Sequence, residues 1–236
     1  MGSNYNDIID IILTLINDSE IQDSILISGS IVPYLILNQE SKENHTDFYI
    51  LVKSKKIDIV RSKLHKMSRE YAFDITSDSK KISGIDHGFK IKYESTIVGF
   101  FPYTLIDNNL TIKTYSIDKD NMQIKLKTKY IPNITKNMVI RSTHFSDNKI
   151  RIISPEFILI EKEMRERQTG NPTTETLRLL SKISDESVLE VLRKSISSTK
   201  VDIETKPLNK KDITWYIMPI VGLIILLLLA YICFKK

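Results

Sequence analysis

Apolar residues in Asp7–Ile16 (DIIDIILTLI) return every three or four positions, which predicts a short amphipathic helix closed by Asn17 and Asp18. The run from Ser24 to Ile27 is apolar without that period. It predicts a buried strand that ends in the turn Gly29-Ser30. Pro33 then falls in the first turn of the next segment, where a missing amide proton costs nothing, so residues 31–38 are expected to be a helix. A polar loop, Gln39 to Thr46, leads into a second strand from Asp47 to Val52. Beyond it, Ile57, Val60, Leu64, Met67 and Tyr71 mark one face of a third helix.

The period then shortens. Short β-rich runs follow at 72–76, 89–93, 97–103, 110–117, 122–131, 138–143 and 149–153, and turn signals such as Asp107-Asn108-Asn109 and Ser146-Asp147-Asn148 part them. Helical signals return at Ser154-Pro155-Glu156, which sets an N-cap residue, a first-turn Pro and an early acid in a row. Asn171-Pro172 repeats the device, and a third C-terminal helix is expected from Asp185 to Ile196. The order predicts an α/β (α+β) domain with a mixed sheet over 1–153 and a helical cap over 154–196. Residues 197–212, rich in Ser, Thr and Lys, read as a flexible tether of roughly 20 Å reach.

From Ile213 to Phe234 no residue is charged. A helix needs roughly 20 apolar residues to cross a bilayer core of about 30 Å, so this run predicts a transmembrane helix and a lipid-bilayer partner. Trp215, Tyr216 and Tyr231 lie near its ends, where amphipathic rings favour the headgroup layer, and Lys210, Lys211, Lys235 and Lys236 flank it. Residues 1–20 lack a basic region, and Asp7, Asp10, Asp18 and Glu20 interrupt their apolar positions. The expectation is a single-pass, tail-anchored protein with its N-terminal domain in the cytoplasm. Cys233 is the only cysteine and lies in the span, which excludes an intramolecular disulfide.

Charge adds little. A sequence pI near 9.0 suggests nucleic acid at first sight. Without Lys235 and Lys236, however, the 34 basic residues fall to 32 against 29 acidic ones, a net of +3. No DNA-binding motif, zinc spacing, P-loop or Gly-x-Ser-x-Gly is present. Lys53, Lys55 and Lys56 follow the second strand and read either as phosphate contacts or as a solvated helix start.

Ile27-Ser28-Gly29-Ser30, followed by a predicted helix and by Asp47-Phe48-Tyr49-Ile50, resembles the nucleotidyltransferase superfamily. There a Gly-Ser or Gly-Gly turn ends the first strand, the next strand carries two carboxylates spaced Asp-x-Asp, and a later strand adds a third. Lys162, Arg165 and Arg167 with the 171–180 segment are similar to the helical region of small bacterial and archaeal nucleotidyltransferase-like proteins related to abortive-infection toxins. The resemblance covers most of residues 7–196. It implies nucleotide binding by Gly29, Ser30 and Lys162, with Asp47 as catalytic residue and metal ligand. It also implies Mg²⁺ and a nucleoside triphosphate as cofactors, the metals clamping phosphate and activating the attacking hydroxyl.

The chain departs from that pattern at two of three acids. Tyr49 stands in place of the second, and Gly99 where the third is expected, while Glu94 falls at a hairpin turn. One carboxylate holds a hydrated divalent ion weakly. The implied function is therefore a membrane-anchored pseudoenzyme that binds a nucleotide, an RNA or a protein partner. The alternatives are an active nucleotidyltransferase acting on a protein, RNA or small-molecule acceptor, and a tethered adaptor with no ligand pocket.

Overall fold

The computed structural model describes residues 3–39, 48–169 and 175–208. In chain order α1 (Ser3–Ile16) leads to β1 (Ile25–Ser28), α2 (Val32–Leu37), β2 (Tyr49–Lys53) and α3 (Ile57–Met67). Next come β3 (Asp74–Asp78), α4 (Ser79–Ser83), β4 (Phe89–Tyr93), β5 (Thr96–Ile106), β6 (Asn109–Asp118) and β7 (Gln123–Ile131). Then follow α5 (Lys136–Val139), β8 (Ile140–Phe145), β9 (Asn148–Ile153), α6 (Pro155–Thr169), α7 (Glu175–Ile183), α8 (Glu186–Ser197) and β10 (Lys200–Pro207).

The strands form one mixed sheet in the order β10-β7-β6-β5-β2-β1-β9-β8, with β3 and β4 branching from β5. β2 is central: it runs antiparallel to β1 and parallel to β5. Its Ile50, Leu51 and Val52 are fully buried, as expected of a strand covered on both faces. α3 packs on β2 and β5, while α6, α7 and α8 pack together. The expected turns are tight hairpins. Asp107 and Asn108 both take positive φ between the paired Ile106 and Asn109, and Ser146 and Asp147 do the same between Phe145 and Asn148. Two left-handed residues in a two-residue loop match the strands' twist, and Asn and Asp tolerate that conformation best.

Two charged groups tie the layers together. Arg61, 7% exposed on α3, pairs with Asp78 at 3.0 Å, with Asp86 at 2.8 Å and with Asp58, and lies over the Phe89 ring. Glu156, fully buried at the start of α6, accepts from Arg141 of β8 at 2.6 Å and from the Asp185 amide before α8 at 2.8 Å. α6 itself begins as its sequence predicts, with Pro155 first and the Ser154 hydroxyl accepting from the Phe157 amide.

The structure corrects the tether. Lys200–Pro207 is a strand, paired antiparallel with β7 along its whole length from Lys200↔Tyr130 to Pro207↔Gln123. Backbone pairing stabilises this segment even though most of its side chains are exposed. α3 also ends at Met67, short of Tyr71. No helix among the described residues is long and apolar enough to cross a membrane; the 213–234 segment, like Asp47, lies outside the described residues.

Candidate functional site

β1 ends at Ser28, and Gly29 follows at φ +96°, a conformation that favours glycine as the chain turns into α2. Ser28 pairs with Tyr49, and Tyr49 pairs with Gly99, so the three strands bring their turn, tyrosine and glycine to one level of the sheet. Side chains two apart share a face of a strand, which puts Phe101 on the same side as residue 99. The Phe101 ring fills that space: a Cβ on Gly99 would come within 2.4 Å of it. Tyr49 and Phe101 themselves meet at 6.1 Å between ring centroids, and Phe101 meets Tyr115 edge-on at 6.1 Å.

The Tyr49 and Phe101 rings floor a cleft of about 620 Å³. Thr114 of β6 and Lys127 and Lys129 of β7 form one wall, Glu161, Lys162 and Arg165 of α6 another, and Thr199 the end after α8. Lys127 and Lys129 point the same way because the strand alternates, whereas Ile158, Glu161, Lys162 and Arg165 fall on one helical face. Glu161 holds the centre. One carboxylate oxygen accepts from Lys129 Nζ at 2.7 Å, and the other takes the Tyr49 hydroxyl at 3.4 Å. Burial, and then the charge of Lys129, lowers the Lys127 pKa. Thr199 Oγ1 is buried there with no hydrogen-bond partner.

The expected site residues divide. Gly29 and Lys162 line the cleft together. Ser30 is only 5% exposed and does not line it. Asp47 lies outside the described residues. Lys127, Lys129 and Glu161 are additions that a reading of short motifs misses, since β7 reaches the cleft only through long-range strand pairing. Glu94 sits in the β4–β5 turn at φ +49°, as its sequence context predicts.

Four cations therefore frame the cleft against one acid among the described lining residues, and that acid is already engaged. No group of three or more His, Cys, Asp or Glu side chains that could hold a metal exists among the described residues. Asp47, the expected metal ligand, lies outside the described residues, and the charged side chains that line the cleft are mostly cations. They fit phosphate oxygens, which lysine and arginine neutralise directly.

No protein-family profile and no curated protein matches the chain. Solved structures do. The antibiotic-resistance factor ANT(2'')-Ia, seen in solution, aligns with 84% of this chain and 94% of its own at 15% identity and a TM-score of 0.53. The lincosamide antibiotic adenylyltransferase LnuA, bound to lincomycin, aligns with 75% and 96% at 17% identity, with a TM-score of 0.45, too low to add weight. The chain has a nucleotidyltransferase-like fold.

Proposed function

We propose that this protein is a non-catalytic member of the nucleotidyltransferase fold that binds a nucleotide through its phosphates in the cleft between β7 and α6. The observation that supports it is the exchange at the cleft floor. Tyr49 and Gly99 stand at the two positions where the resemblance calls for acids, the Phe101 ring fills the space beside Gly99, and Lys127, Lys129, Lys162 and Arg165 surround them. Cations take over the charge neutralisation that metals supply in two-metal transfer. Aromatic floor and cationic walls together suit a base and its phosphates. The apolar 213–234 segment adds the second half of the proposal, a single membrane span that keeps this domain at a bilayer surface on the cytoplasmic side.

Calorimetry on the full chain in a maltoside detergent, with ATP, CTP, GTP and UTP, tests the reading. One saturable binding event that survives EDTA and is lost in Lys129→Gln/Lys162→Gln is expected, with no transfer of labelled nucleotide to any acceptor. Binding that requires Mg²⁺, or transfer that Asp47→Ala abolishes, would restore the active transferase. Resistance of the chain to alkaline extraction from membranes, lost on removing 213–236, is the result expected for the span.

A further inference from the structure

A second cleft, of about 1040 Å³, opens at the other end of the same strand pair. β2 and β5 run parallel with Tyr49↔Gly99 at one end of their pairing and Lys53↔Tyr103 at the other. Lys53 and Lys55 enter the second cleft from the end of β2, Lys136 from the start of α5, and Lys149 and Arg151 from β9. Asp23 is the one acid on its wall among the described residues. Its backbone carbonyl accepts from Arg151 Nη1, and its carboxylate, 83% exposed, stays 3.8 Å from the guanidinium. Among the described residues, none of the four lysines has a carboxylate within ion-pair distance.

The cations crowd one another. Lys53 has a lowered pKa, first because it is partly buried and then because Arg151 stands near; Asp23 offsets part of this, and Lys136 adds to the repulsion. Such a cluster costs stability unless an anion joins it. Beside it lies a second unpaired group. Tyr103 is 2% exposed, lines the cleft, and its hydroxyl is buried with no hydrogen-bond partner. Burial pushes that hydroxyl up to about 12, so it stays a donor at neutral pH. An orphan buried hydroxyl is unusual enough to require an explanation. A bound acceptor supplies one.

We infer that this second cleft is a binding site for a compact polyphosphate, whose charge Lys53, Lys136 and Arg151 neutralise and one of whose oxygens accepts from Tyr103. The lining favours this ligand over a nucleic-acid strand. Strand binding without sequence preference needs exposed aromatic faces on which bases stack. Tyr103 is the one aromatic side chain among the lining residues, and it is buried. A linked pair or triplet of phosphates carries its charge in a small volume and needs no such platform. The inference is separate from the nucleotide reading, because none of these residues lines the first cleft.

The test titrates inorganic tripolyphosphate into the full chain in maltoside without Mg²⁺. Lys53→Gln/Arg151→Gln should weaken one binding event about tenfold or more, the loss expected of charge-assisted contacts, and leave ATP binding to the first cleft unchanged. Lys129→Gln/Lys162→Gln should leave that event intact, so failure of one site is distinguishable from failure of the other. Tyr103→Phe should weaken tripolyphosphate roughly three- to tenfold without lowering the melting temperature, since it removes an unsatisfied hydroxyl. If Lys53→Gln/Arg151→Gln does not fold, Lys136→Gln/Lys149→Gln carries the same expectation. Tripolyphosphate binding unaltered by the cation variants, or by Tyr103→Phe, overturns the inference. So does a 12-nucleotide RNA that binds these cations and is not displaced by tripolyphosphate.

Discussion

The Phe101 ring lies against Gly99 so closely that a Cβ on residue 99 would meet it at 2.4 Å. Residue 99 is the register partner of Tyr49 in the centre of the sheet, and the Phe101 ring also meets Tyr115 edge-on. Gly99 is thus a packing requirement, whatever residue the resemblance expects there. Gly99→Ala should lower stability by about 1–3 kcal/mol, the usual cost of overpacking. Phe101→Leu in the same chain should return part of it. Urea denaturation of the single and double variants measures both effects. Equal destabilisation in the two would mean the ring is not the obstacle.

Glu161 opposes its neighbours. Its carboxylate draws Lys129 and the Tyr49 hydroxyl to itself and subtracts one charge from the cleft. Glu161→Gln should tighten nucleotide binding roughly three- to tenfold, a gain of about 1 kcal/mol from one released cation. Tyr49→Phe, which removes the 3.4 Å hydrogen bond to Glu161, should change affinity far less. Isothermal titration separates the two; weaker binding in Glu161→Gln would show that the acid contacts the ligand.

Arg61 carries the heaviest structural charge among the described residues. Arg61→Met would leave Asp78, 5% exposed, without its ion pair. Breaking a buried pair from one side costs about 3–5 kcal/mol. Adding Asp78→Asn should recover a measurable part of that loss in a double-mutant cycle.

His87 gives the fold a pH dependence of known sign. The side chain is buried with Nε2 3.2 Å from Thr128 Oγ1, and burial, then the charge of Lys113, lowers its pKa from 6.5. Below about 6.5 the unfolded chain takes up a proton that the folded chain refuses, so stability falls as pH drops through that value and stops falling only beneath the folded pKa. The slope from this residue cannot exceed about 1.4 kcal/mol per pH unit. Melting temperatures from pH 7.5 to 5.5 should decline in the native chain and decline less in His87→Gln.

Local chemistry was readable where it was local. Gly29 at positive φ, the Asp107-Asn108 turn and the Ser154 cap each depend on a few adjacent residues, and each stands where its sequence predicts. The floor of the cleft was half readable: the sequence marks Tyr49 and Gly99 as positions of interest, but not that they pair with each other or that the Phe101 ring packs on Gly99. Lys127 and Lys129 carried no short motif, because their role comes from pairing β7 between β6 and β10. β10 itself was invisible for a related reason. Its side chains are mostly exposed, so it shows no buried stripe, and what makes it a strand is a partner about 75 positions earlier in the chain.

That strand also alters how the domain can be carried. The Leu208 amide donates to the Met122 carbonyl, which fixes the exit of the described chain beside the turn between β6 and β7. From Leu208 to Ile213 is five peptide steps, at most roughly 17 Å of extended chain. If 213–234 spans a bilayer, the leash is too short for the domain to tumble freely. One particular hairpin would be held against the lipid headgroups, and the molecule would stand on the membrane with a defined end down.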